Sequence, residues 1–160
     1  MTLRVALVGP RFHENLALEY LAATCQEHEH EAHIITYSSR QDARSVVEAV
    51  LRLNARVVGL SIAFQSCLTD SIHLAEQLRS AGFTGHITCG GHVPSFEYAA
   101  LLRDCPALDS VVRHDGELTL SELFDKLERE QPLSGVAGLV WRDGAELRIE
   151  PTRRPLQALD

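Results

Sequence analysis

The sequence predicts an α/β fold: a doubly wound parallel sheet of about five strands followed by a C-terminal β-hairpin. Three observations predict it. Short apolar runs alternate with longer amphipathic ones five times along the chain. Val57-Val58-Gly59-Leu60 is apolar without alternation, as a central strand covered on both faces must be. Near the end, Asp143-Gly144 sits between two strand-like runs, a short-hairpin signal.

Taken in order, Leu3–Val8 reads as a strand ending at Gly9-Pro10. Asn15–Glu27 reads as a helix with Leu16, Leu18, Leu21 and Ala22 on its inward stripe. Ala32–Tyr37 is a second strand, and Asp42–Leu53 a helix that turns Val46, Val47, Val50, Leu51 and Leu53 inward. Arg56–Ile62 is the third strand. Thr69 or Asp70 is placed to cap the helix that follows, which runs to Ala81 and stops at Gly82. His86–Cys89 is a fourth strand ending at Gly90-Gly91, and Ser95 caps a helix over Ser95–Arg103. Ser110–Arg113 is a fifth strand, and Thr119–Arg129 a fifth helix with Leu120, Leu123, Phe124 and Leu127 inward. Gly138–Arg142 and Glu146–Ile149 flank the hairpin turn, and Pro151-Thr152-Arg153-Arg154-Pro155 reads as an extended connector. Five strand–helix units in a row give the parallel sheet of flavodoxin-like and Rossmann-like folds.

Composition excludes several classes of function. At 160 residues, with 45% hydrophobic residues, the chain is long enough for one domain with a real core. A formal net charge of -7 argues against a nucleic-acid-binding face. No apolar run approaches the roughly 20 residues needed to span a bilayer. Met1-Thr2-Leu3-Arg4-Val5 enters a strand without the features of a signal peptide, so the expected compartment is the cytoplasm. Cys25, Cys67, Cys89 and Cys105 lie at wide spacings with no C-x-x-C, which reads as four reduced, partly buried thiols rather than a zinc or iron–sulfur site. His28, His30 and His33 straddle a helix end and a strand start and read as a solvated helix terminus. His73 and His86 read as structural.

Ligands of doubly wound sheets sit at the carboxyl ends of the strands, near the point where strand order reverses. The first such loop, Gly9-Pro10-Arg11-Phe12-His13-Glu14-Asn15, is neither G-x-G-x-x-G nor a P-loop, so no dinucleotide or nucleoside triphosphate site is expected. It also lacks the acidic pair by which a phospho-receiver domain holds magnesium, and strand three delivers Ser61 where such a domain has its aspartate. Loop three, Ser61 to Cys67, offers Ala63, Phe64 and Gln65; Phe64 reads equally as core. Loop four carries Gly90-Gly91, where a ligand can lie on bare backbone, followed by His92. The double glycine also reads as a plain turn, and His92 as an exposed loop histidine. Loop five, Arg113-His114-Asp115-Gly116-Glu117, leads into a helix whose first amides are free to meet polar groups.

These residues, in this order, carry a resemblance. Leu60-Ser61, then Gly90-Gly91, then Val111-Val112-Arg113-His114-Asp115-Gly116-Glu117-Leu118-Thr119-Leu120 resembles the cobalamin-binding domain at the N-terminus of cobalamin-dependent radical S-adenosylmethionine enzymes. In that family the fifth loop commonly reads G-E-G-E where this chain has His114-Asp115-Gly116-Glu117. Asn15-Leu16-Ala17-Leu18-Glu19-Tyr20-Leu21-Ala22 is similar to the family's first helix, N-L-G-L-x-Y-L-A. Arg153-Arg154-Pro155-Leu156-Gln157-Ala158-Leu159-Asp160 resembles its lead into the radical domain.

The resemblance implies that residues 1–133 form a cobalamin-binding domain and 134–160 a hairpin and connector toward a radical domain beyond Asp160. It implies a corrin ring lying across the carboxyl edge of the sheet, with its nucleotide tail descending beside Ser61 and Gly90-Gly91. The implied cofactor-binding residues are Pro10, Arg11, His13, Asn15, Ser61, Ala63, Phe64, Gln65, Gly90, Gly91, His92, His114, Gly116 and Glu117. Better-known cobalamin proteins carry D-x-H-x-x-G in loop one, the histidine replacing the tail base on cobalt. His13 falls at that histidine, but Arg11 and Leu16 stand at the aspartate and glycine positions. The whole enzyme would transfer a methyl group or do related radical chemistry, using a [4Fe-4S] cluster and S-adenosylmethionine that this chain does not bind. Without the resemblance, the residues fit equally a flavodoxin-like regulatory or partner-docking module that binds no corrin. A small hydrolase is disfavoured by the absence of G-x-S-x-G.

Overall fold

The structure is a computed structural model and describes residues 2–11 and 16–154. Its strands are β1 (Arg4–Pro10), β2 (Glu31–Tyr37), β3 (Val57–Ser61), β4 (His86–Gly90), β5 (Ser110–Val112), β6 (Leu139–Asp143) and β7 (Glu146–Ile149). The helices are α1 (Leu16–Glu27), α2 (Ala43–Arg52), α3 (Leu68–Ser80), α4 (His92–Asp104) and α5 (Glu117–Glu128). One sheet runs in the order β2-β1-β3-β4-β5-β6-β7; β1 to β5 are parallel and β6 and β7 antiparallel. The doubly wound reading is therefore right, with a two-strand antiparallel extension. Among the described residues, no helix is long and apolar enough to cross a membrane.

Strand order reverses between β1 and β3, so the crossovers before and after that point go to opposite faces. One core packs α2, α3 and α4 on the sheet through Val46, Val50, Leu74, Leu78 and Leu102. The other packs α1 and α5 through Leu18, Cys25, Leu120, Leu123 and Phe124. Side chains alternate along each strand, so the register decides what the second face carries. Leu7, Gly59, Thr88 and Ser110 stand in one row across that face, and Ser61, Gly90 and Val112 in the row above. This face is thin in side-chain bulk at the carboxyl edge.

Helix starts depart from the sequence pattern in three places. Helix α2 starts one residue later than Asp42 and is preceded by a 3-10 turn, Arg40–Asp42, that Ser39 caps. Ser39 accepts from the Gln41 amide, while Asp42 accepts from the amides of Ser38 and Ser39 in a capping box. Helix α3 starts at Leu68 after a 3-10 turn, Gln65–Cys67, so Thr69 and Asp70 lie inside its first turn and cap nothing. Helix α4 starts three residues early, at His92 with Gly91 as the cap. Its first turn tolerates Pro94, whose missing N–H has no intrahelical partner there in any case.

Packing also corrects the stripes. Leu16 is 50% exposed and Leu51 exposed, while Leu21, Leu53 and Leu127 are half-buried. The hairpin turn is Gly144-Ala145, one residue later than Asp143-Gly144, because Asp143 pairs with Glu146 and Gly144 takes the positive φ of 62°.

The hairpin is part of the sheet. Ser110 pairs with Trp141 and Val112 with Leu139, and Val136, Leu139 and Val140 are buried. Two arginines fasten it. Arg113 is buried, stacks its guanidinium 5.3 Å from the Tyr98 ring centroid, and donates to the carbonyls of Gly138 and Glu150. Arg142 reaches back from β6 to donate to the carbonyls of Leu102, Cys105 and Leu108, where α4 ends. Arg142→Ala leaves these carbonyls without that donor and should cost about 1–3 kcal/mol in urea unfolding. Arg148→Ala, which removes exposed ion pairs to Asp143 and Glu146, should cost less than about 1 kcal/mol in the same assay.

Candidate functional site

Three loops are drawn together at the carboxyl edge by short-range contacts. The Ile62 amide donates to the Gly90 carbonyl at 2.9 Å, and the Val93 amide to the Ile62 carbonyl at 3.4 Å. Gly91 makes this approach possible: its φ is 118°, and a β-carbon there would lie 2.6 Å from the Ile62 oxygen. Ser95 joins loop four to loop five. Its hydroxyl donates to the Gly91 carbonyl at 2.8 Å and accepts from the His114 amide at 2.7 Å. Ser95 thus acts from inside α4 as a clamp between loops, not as the helix cap. His114 takes a positive φ of 62° to make the turn.

Below this clamp, α1 and α5 pack side by side over the thin part of the sheet. They leave a cleft of about 190 Å³. Its floor is Gly59, Ser61, Thr88, Gly90 and Gly91; its walls include Leu7, Leu18, Leu21, Val112 and Leu120; its rim carries His114, Asp115, Gly116 and Glu117. Gly59 lies close under its neighbours, since a β-carbon there would meet a Leu7 methyl at 3.1 Å. Glu117 brings negative charge to the first turn of α5, where it interacts favourably with the helix dipole, and Asp115 stands just before the Gly116 cap.

Beneath the cleft runs a directed polar thread. The His86 Nε2 lies 2.8 Å from the Ser110 hydroxyl, which donates to the Thr88 hydroxyl at 2.8 Å, which in turn donates to the Ser110 carbonyl at 3.3 Å. Ser110 and Thr88 are buried, so these bonds are what make two hydroxyls tolerable in the core. Burial holds the His86 imidazole below the usual histidine range; Asp109 opposes this and Arg79 adds to it.

Of the residues singled out by sequence, Ser61, Gly90, Gly91, His114, Gly116 and Glu117 line the cleft. Ala63, Phe64, Gln65 and His92 are exposed at the same edge without lining it, and Phe64, 59% exposed, is not core. Pro10 ends β1. Arg11 turns toward β2, its amide donating to the Tyr37 carbonyl and its guanidinium to Thr36. His13 and Asn15 lie outside the described residues.

Sequence reasoning missed Gly59, Thr88, the α1 and α5 leucines and Val112. A glycine inside a buried strand is itself a signal of close approach, and could have found the floor. It also missed Phe96, 67% exposed, which meets His92 and His114 edge-on at 5.1 and 6.1 Å.

Burial pushes the thiols of Cys89 and Cys105 up, and that of Cys25 to about 11, so they stay protonated at neutral pH. All four cysteines are free and buried.

At the opposite edge, His30 is not solvated. Its ring is buried against Phe124, accepts from the Leu3 amide at Nδ1 and lies 3.4 Å from Asp125 at Nε2. Glu128 completes a group spaced as metal ligands could be. Acceptance at Nδ1 leaves the proton on Nε2, so that nitrogen donates to Asp125 and has no lone pair for a cation. His33 pairs with Glu31 at 2.7 Å.

The model of the B12 binding domain family matches residues 3–124. The uncharacterized methyltransferase PH0819 of Pyrococcus horikoshii is 31% identical over 146 residues, which are 91% of this chain and 31% of that protein. The radical S-adenosylmethionine methyltransferase TsrM of Kitasatospora setae, solved with tryptophan substrate and a SAM analog, superposes with a TM-score of 0.82 at 19% identity. The match covers 94% of this chain and 30% of that one. The cobalamin-dependent S-adenosylmethionine radical enzyme OxsB, solved with aqua-cobalamin and S-adenosylmethionine, gives 0.78 at 20% identity, over 96% and 22%. At those identities the two structures share the fold; the chain spans less than a third of each of these relatives.

His86 makes the stability of the fold depend on pH. Its folded pKa lies below its ordinary value of about 6.5, so the unfolded chain takes the proton first as pH falls. The stability conferred by a neutral His86 is complete above about pH 6.5 and is lost as pH falls toward the depressed folded value. Urea midpoints should drop between pH 7 and pH 5, and His86→Gln should flatten that drop.

Proposed function

The chain belongs to the B12-binding domain family, and on that premise we propose that it is the cobalamin-holding part of a cobalamin-dependent radical S-adenosylmethionine enzyme. That enzyme would transfer a methyl group or perform related radical chemistry. The observation that carries this reading is the strip of absent side chains at Gly59, Gly90 and Gly91. It sits under α1 and α5 at the carboxyl edge, in a chain that a B12-binding model matches across four of the five helices and most of the fifth. A β-carbon at Gly91 would collide with the backbone, and side chains at Gly59 or Gly90 would occupy the channel. Methyltransferase and cobalamin stand in the names of the proteins it is similar to.

In this reading Ser61 would donate its hydroxyl to the nucleotide tail and Gly90-Gly91 would leave room for it. Ala63, Phe64, Gln65, His92, His114, Gly116 and Glu117 would hold the corrin, with Pro10, Arg11 and Asn15 from loop one. When bound, cobalamin supplies a cobalt centre able to carry a methyl group. The four cysteines of this chain are buried and widely spaced in sequence, so we assign the [4Fe-4S] cluster and S-adenosylmethionine to a radical domain beyond the connector. Residues 1–133 form the cofactor domain and 134–160 the hairpin and connector. Arg153 fixes the direction in which the connector leaves, donating to Thr119 and the Ala137 carbonyl and pairing with Glu122 at 2.8 Å. A cytoplasmic setting keeps the four thiols reduced.

The test is retention of hydroxocobalamin through desalting, read in the visible spectrum. Wild type should stay coloured, and Gly90→Val should bind at least about tenfold more weakly with its circular dichroism unchanged, because the valine fills the channel. His13→Ala should leave the bound spectrum unaltered, since Arg11 stands where an aspartate would orient that imidazole. A folded but colourless wild type would favour a partner-docking module that binds no corrin.

A further inference from the structure

We propose that the deep end of the cleft selects the lower base of the corrinoid, taking benzimidazole and phenol bases and discriminating against purines. The inference rests on the cobalamin reading above and goes beyond it, because cobamides share one corrin and differ in the base at the end of the tail.

Hydrogen-bond capacity in the cleft sets this preference. At depth the cleft offers Leu7, Leu18, Leu21, Val112 and Leu120, none with a polar side-chain atom. The hydroxyl there is Thr88. Its proton is committed to the Ser110 carbonyl, one lone pair receives the Ser110 hydroxyl, and the methyl points toward Gly59. Ser110 is committed in turn between His86 and Thr88. No side-chain donor remains at depth among the described residues. Ser61, one row higher, keeps a hydroxyl that nothing among the described residues engages.

One free hydroxyl suits a base with one acceptor. A benzimidazole has a single free ring nitrogen, and the rest of its ring system is apolar. A phenolic base has no ring nitrogen. A purine such as adenine adds ring acceptors and an exocyclic amine along the edge that would enter the apolar end. The added ring nitrogens lose water and find no donor, and a buried polar group without a partner is costly; the amine, itself a donor, meets at most the one lone pair left on Thr88.

The experiment is equilibrium dialysis of the chain against the hydroxo forms of four corrinoids, followed by visible absorbance. They are cobalamin, p-cresolylcobamide, adeninylcobamide and cobinamide, which lacks the tail. Expected is p-cresolylcobamide at least as tight as cobalamin, and adeninylcobamide at least about tenfold weaker. Coordination within the free corrinoid works against this order. Dimethylbenzimidazole is the better ligand for cobalt, so detaching it costs cobalamin more than adenine costs its cobamide, and a preference for cobalamin would come from the pocket. Adeninylcobamide within threefold of cobalamin would overturn the inference and leave the cobalamin reading standing. So would cobinamide binding as tightly as cobalamin, since the tail would then contribute nothing. Failure to bind any of the four would overturn the cobalamin reading, and this inference with it.

Discussion

The structure turns on a shortage of side chains at one corner of the sheet. Gly59 in the middle row of β3 and Gly90-Gly91 at the end of β4 remove bulk from the face that α1 and α5 cover. Helices pack on a sheet at a distance set by the side chains between them. Here Leu7, Leu18, Leu21 and Leu120 hold the helices out from the sides, while nothing fills the floor. The cleft is thus a packing consequence, and its position at the strand-order reversal follows from the topology.

A bare floor does not hold its own shape, and the surrounding polar groups supply the stiffness. Ser95 ties the backbones of loops four and five, and Gly91 brings loop four against Ile62. The thread from His86 through Ser110 to Thr88 satisfies the hydroxyls that the thin face exposes to the core. Such a network fixes one arrangement because every proton has a destination. It also makes the floor chemically quiet, leaving the accessible polar groups at the rim and at Ser61.

The antiparallel hairpin plays a different part. It caps the β5 edge, and Arg113 and Arg142 draw the end of α4 and the last strands into one unit. With Arg153 over the start of α5, the chain after β7 passes along the rim of the cleft.

The sequence by itself determined the strands, their parallel pairing and the hairpin, because apolar runs and turn residues are local signals. It also picked out Ser61, Gly90, Gly91, His114, Gly116 and Glu117, through loops that the topology must bring to one edge and through the family resemblance those loops carry. Only the tertiary structure decided the rest. Ser95 looks like a cap in sequence and becomes a clamp because His114, nineteen residues on, needs an acceptor. His30 looks solvated and is buried because Phe124 and Asp125 arrive from α5. Leu16 and Leu51 fit helical stripes yet face solvent, since a stripe fixes spacing and not the partner that covers it. Gly59 alone is a local signal, but its place beside Thr88 emerges only from strand register, which sets side by side residues that lie far apart in the chain.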